Sequence, residues 1–101
     1  MSNINDVITA DDVLAYLGID YADDLVNKNI TRAINTADGE LRESVADDYP
    51  VAHPLTKELA LIYAANAYES RGDVSLAGNE QKRADGIALK LRLYLRRNSN
   101  A

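Results

Sequence analysis

The side chains that could do acid–base or metal chemistry are few and scattered. The 101 residues contain one histidine and no cysteine. Thiolate metal sites, a cysteine nucleophile and disulfides are thereby excluded. His53 stands between Ala52 and Pro54 with no nucleophile signature beside it, and is expected in a solvated or capping role. Three carboxylate pairs invite a metal reading: Asp11-Asp12, Asp23-Asp24 and Asp47-Asp48. Adjacent residues on a helix point about 100° apart, so such a pair does not chelate. The first two pairs suit helix starts, where the helix dipole favours acids. The third suits a turn. Asp20, Asp23 and Asp24 do not match a calcium loop, and the five glycines are isolated, with no phosphate-cradling motif. Asn29-Ile30-Thr31 fits a glycosylation pattern but falls inside an expected helix. No constellation supports catalysis, so the expectation is a non-enzyme without cofactor or metal.

What remains is charge and apolar surface, and the elements that place them. Strand-type alternation and hairpin dipeptides are missing, and helical periodicity runs throughout. The spacing predicts an all-α, compact bundle of about four helices: one short, one long and amphipathic, one buried and central, one basic and C-terminal. The short helix runs from Ala10 to Leu17, capped by Thr9 and stopped by Gly18. The long one runs from about Ala22 to Val45, capped by Asp20, with Val26, Ile30, Ala33, Ile34, Ala37, Leu41 and Val45 on one stripe. Asp24, Lys28, Asn35, Asp38 and Arg42 lie opposite, on an expected wet face. A loop from Ala46 to Pro54 follows. The third helix, Leu55 to about Arg71 and ending at Gly72, is apolar nearly all round, which makes it central. A loop from Asp73 to Asn79 leads to the fourth, about Glu80 to Arg97, whose core stripe is Ala84, Ile87, Ala88, Leu91, Tyr94 and Leu95. Residues 1–101 form a single domain, with 1–8 and 98–101 expected to be flexible.

Apolar residues make up 47% of the chain, enough for a core, and no run is long enough to cross a membrane. The opening Met1-Ser2-Asn3-Ile4-Asn5-Asp6 does not read as a signal peptide. The net charge of −5 is unevenly spread, about −8 up to Pro50 and +3 after it. Overall acidity argues against tight binding of nucleic acid over the whole surface. Lys82, Arg83, Lys90, Arg92, Arg96 and Arg97 could touch phosphate, but the second helix is acidic where a recognition helix should be basic. The apolar residues exceed what one core stripe needs. Leu89 and Leu93, one turn apart, face away from the stripe of the last helix, and Leu61 and Tyr68 do so on the third. These four, with Arg92 and Arg96 on the basic side and Asp23 and Asp24 on the acidic side, are the candidate subunit interface. A basic face meeting an acidic face of the next copy is a heterologous contact, which closes into a ring when the rotation permits.

Three phrases carry a family likeness. Ile8-Thr9-Ala10-Asp11-Asp12-Val13-Leu14-Ala15-Tyr16-Leu17-Gly18-Ile19-Asp20 is similar to the opening of small tailed-phage head–tail connector (head completion) proteins. Asp23-Asp24-Leu25-Val26 and the long helix after it resemble that family's second element. His53-Pro54-Leu55 through Ala67-Tyr68-Glu69-Ser70-Arg71-Gly72 resembles its third, and a basic, leucine-rich last helix fits too. The likeness spans about Ile8 to Arg97. It implies a structural virion protein, made in the host cytoplasm, that assembles with itself into a ring of about twelve or thirteen copies. Such a ring sits between the portal protein and a tail-side adaptor or stopper, extends the DNA channel, and touches DNA only transiently and non-specifically. Two other readings stand beside it. One is a small DNA-packaging or transcription accessory protein, like a terminase small subunit. The other is a generic dimeric helical adaptor.

Overall fold

The computed structural model describes residues 2–70 and 78–99. Among them are a 3-10 turn (Ile4–Asp6) and four α-helices: α1 (Ala10–Leu17), α2 (Asp24–Ser44), α3 (Pro54–Ser70) and α4 (Gly78–Ser99). No strand occurs among the described residues, and the chain is an all-α bundle. Arg71, Gly72, the expected loop as far as Ala77, and Asn100-Ala101 lie outside them.

Local chemistry sets most helix boundaries. Thr9 and Asp12 form a reciprocal capping box: the Thr9 hydroxyl accepts from the Asp12 amide at 3.2 Å, and the Thr9 amide donates to the Asp12 carboxylate at 2.9 Å. Gly18 ends α1 at φ +74°, with its own amide on Ala15 O and the Ile19 amide on Leu14 O. That pair of bonds is a Schellman motif, which needs a left-handed residue. α2 starts later than the spacing suggests. Asp23, not Asp20, is its cap, accepting from the Val26 amide at 2.9 Å. Pro54 is the first residue of α3, where a missing N–H costs nothing. His53 caps that helix, its Nδ1 accepting from the Leu55 amide at 3.1 Å. α4 begins at Gly78 and runs through Ser99, so Gly78, Asn79 and Asn98 are helical rather than loop or tail.

The core follows the apolar stripes. α2 contributes Ile30, Ala33, Ile34, Ala37 and Leu41. α3 lies in the middle, packed against α1, α2 and α4, with Leu59, Ala60, Ile62, Tyr63, Ala64, Ala65 and Ala67 buried. α4 adds Ala84, Ile87, Ala88 and Leu91. Tyr94 does not join them; it is 39% exposed, a correction to the expected stripe.

Two further expectations are corrected. The leading segment is part of the core, with Ile4, Val7 and Ile8 buried. Asp38 and Arg42 are not on a wet face but form a clamp. The Arg42 guanidinium donates to Asp38 Oδ2 at 3.2 Å, to the Asp47 carbonyl at 2.7 Å and to the Ser2 carbonyl at 2.7 Å. One side chain thus ties α2, the α2–α3 loop and the N-terminal segment together. Arginine suits this because its planar fork presents several donors in fixed directions. Tyr49 lies under the clamp, 1% exposed, with its ring centroid 5.6 Å from the guanidinium carbon. The Ser2 hydroxyl donates to the Tyr49 carbonyl, closing the seam.

Candidate functional site

With the core complete, α4 still carries apolar side chains on its outer face. Leu89 is 50% exposed and Leu93 38%, one turn apart. Tyr94 beside them stands edge-on to His53, ring centroids 4.7 Å apart and planes at 78°. Leu93, Tyr94, His53 and Leu55 line a shallow groove of about 320 Å³ whose rim includes Lys90 and Arg97. This end of α4 is held on the last turn of α2. Arg92 Nη1 donates to the Ser44 carbonyl at 2.6 Å, a favourable place for a cation. Arg96 lies one turn on, in a neighbouring groove with Arg92, Val45 and Asp48.

The other expected interface residues divide. Leu61 and Tyr68 are half-buried and pack against the core cluster. Their surplus is largely absorbed within the subunit, because α3 has neighbours on several sides. Asp23 is exposed but also caps α2, and Asp24 is exposed in its first turn. The structure does not bring these acids to Arg92 and Arg96. Arg92 bonds the end of α2, and Asp24 starts it, a helix length of about 30 Å away.

Three further apolar side chains are exposed around the α1–α2 linker. Tyr16 is 48% exposed, Tyr21 79% and Leu25 66%. They flank the corner between α1 and α2. The signal is present in weak form: Leu25 is off the stripe that begins at Val26, and Tyr21 follows Asp20 directly.

A polar recess of about 260 Å³ opens between α2, α3 and α4, lined by Glu40, Glu43, Tyr63 and Asp85 among others. Burial, then the neighbouring Glu43 charge, raises the Glu40 carboxyl above its ordinary value. Burial likewise raises the Tyr63 phenol. Among the described residues, no three of His, Asp and Glu are placed to hold a metal ion. No described helix is long and apolar enough to cross a membrane.

Comparison with protein-family models, with curated proteins and with solved structures finds no match to this chain.

Proposed function

We propose that the chain is a structural, non-enzymatic virion protein: a head–tail connector that assembles with itself into a ring between portal and tail. The observation that carries this reading is the exposed row of Leu89, Leu93 and Tyr94 on α4, bordered by Lys90 and Arg97 and left over after the core is filled. The helical architecture and the order of the three sequence phrases support it. The ring extends the DNA channel, helps retain the packaged genome and offers the tail a docking surface. Its partners are further copies, the portal protein and a tail-side adaptor or stopper. It acts in the virion after assembly in the host cytoplasm. A net charge of −5 suits a channel through which DNA slides without sticking.

Sedimentation velocity over a concentration series, with particles imaged by electron microscopy and the series repeated with portal added, tests the reading. Rings of fixed size are expected, on the portal if not alone. A fixed dimer at all concentrations, unchanged by portal, would instead indicate a dimeric adaptor. Salt-sensitive DNA binding by the isolated chain without rings would indicate a DNA-packaging accessory role. Leu93→Asp should lose assembly and keep its helicity by circular dichroism.

A further inference from the structure

We infer that copies of this chain meet head to tail: the Tyr16–Tyr21–Leu25 corner of one seats on the Leu93–Tyr94 groove of the next. The inference rests on the self-assembly part of the proposed function and names the two surfaces that perform it.

Both surfaces are apolar and exposed, and their charges are opposite. Along the chain the corner residues are interleaved with Asp20, Asp23 and Asp24, and the first cation is Lys28, one turn into α2 from Asp24. The charged residues lining the groove are Lys90 and Arg97, while Asp6 and Asp48 line an adjoining recess on the far side of Tyr94. Within one subunit the two cannot satisfy each other. α2 separates them, with Asp24 at its start and the Arg92 anchor at its end. That span, about 30 Å, is roughly three screening lengths at 0.1 M salt. Symmetric pairing is disfavoured on both sides. Groove on groove brings lysine against arginine, and corner on corner brings aspartate against aspartate. Only the mixed pairing covers apolar surface and joins opposite charges together. It leaves one free corner and one free groove at the ends of any chain of copies, so growth continues until a ring closes.

Two variants at exposed positions test this, Leu25→Asp in the corner and Leu93→Asp in the groove. Circular dichroism first confirms that each folds. Each alone should associate at least about tenfold more weakly than the native chain. Mixed together they should form a one-to-one dimer of twice the monomer mass and nothing larger. In that pair the intact corner of the Leu93→Asp chain meets the intact groove of the Leu25→Asp chain, while the altered corner and altered groove set aspartate against aspartate. Oxidative crosslinking adds a readout for weak contact, since the chain has no cysteine of its own. A mixture of Leu25→Cys and Leu93→Cys chains should give predominantly the mixed disulfide.

If Leu25→Asp assembles like the native chain, or Leu93→Cys crosslinks chiefly to itself, the head-to-tail pairing is overturned while self-assembly stands. If the mixture dimerises but the native chain grows open filaments, the pairing stands and the ring fails. A native chain that neither sediments above monomer nor crosslinks as the Cys pair overturns the pairing; the portal arm described above then decides the connector reading.

Discussion

The Tyr49 phenol donates a 2.7 Å hydrogen bond to the Asp38 carboxylate, eleven residues earlier in the chain and on a different element. A loop residue thereby becomes a core residue. Burial, then the Asp38 bond, pushes the phenol well above its ordinary pKa, so it stays a donor at all accessible pH. Tyr49→Phe removes the bond and should cost about 1–2 kcal/mol. Tyr49→Ala also opens a cavity and should cost about 3–5 kcal/mol. Urea denaturation measures both. In hydrogen exchange, Tyr49→Ala should deprotect the N-terminal segment through Ile8, whose Ser2 is bonded to the Tyr49 carbonyl.

The capping box on α1 makes stability depend on acid. The Thr9 backbone amide, chiefly, and the Lys57 ammonium 3.7 Å away hold the Asp12 carboxyl below its ordinary value. A lowered folded-state pKa contributes stability that is present above the unfolded value, about 3.9. That contribution is lost as pH falls through the lowered one. Asp12→Asn should therefore destabilise the chain at neutral pH and flatten its acid limb below about pH 4. Thr9→Ala should cost about 1 kcal/mol. Thermal melts over a pH series check both.

Two glycines with open space around them should respond in opposite directions. Gly18 has φ +74°, and no atom lies within 4 Å of where a Cβ would stand. Its cost to alanine is therefore backbone strain alone, about 1–2 kcal/mol for Gly18→Ala. Gly39 is exposed inside α2 with ordinary helical geometry and equally open surroundings. Gly39→Ala should stabilise by about 0.5–1 kcal/mol. Chemical denaturation of the two single variants reads the signs directly.

Glu40 is a carboxylate whose charge the fold disfavours. Its folded-state value is raised, so its favourable contribution holds below the ordinary glutamate range of about 4.3 and is lost as pH rises through the raised value. At neutral pH the charge works against the fold. Glu40→Gln should gain a few tenths of a kcal/mol at pH 7, on the order of 0.3–0.5, and nothing at pH 4. A retained or reversed pH dependence in the variant would contradict this account.

The helices and their core stripes were readable because their causes are local. Ile30, Ala33, Ile34, Ala37 and Leu41 recur at helical spacing, and Thr9 and Gly18 act on amides within a turn of themselves. The α4 stripe shares that periodicity; Tyr94 departs from it, exposed and edge-on to His53. The exposed pair Leu89 and Leu93 followed from helix phase alone.

Long-range partners decided the rest. Arg42 and Asp38 look like surface charges until Ser2, forty residues away, and Tyr49 arrive beside them. Leu61 and Tyr68 look wholly surplus until the neighbours of α3 cover them in part. Tyr21 and Leu25 look unremarkable until Asp23 takes the cap and leaves them outside the packed core. A helix's phase is set by residues a few positions apart, so the sequence alone determined which side chains share a face. Whether that face meets protein or water depends on segments tens of residues distant, and only the tertiary structure decided it.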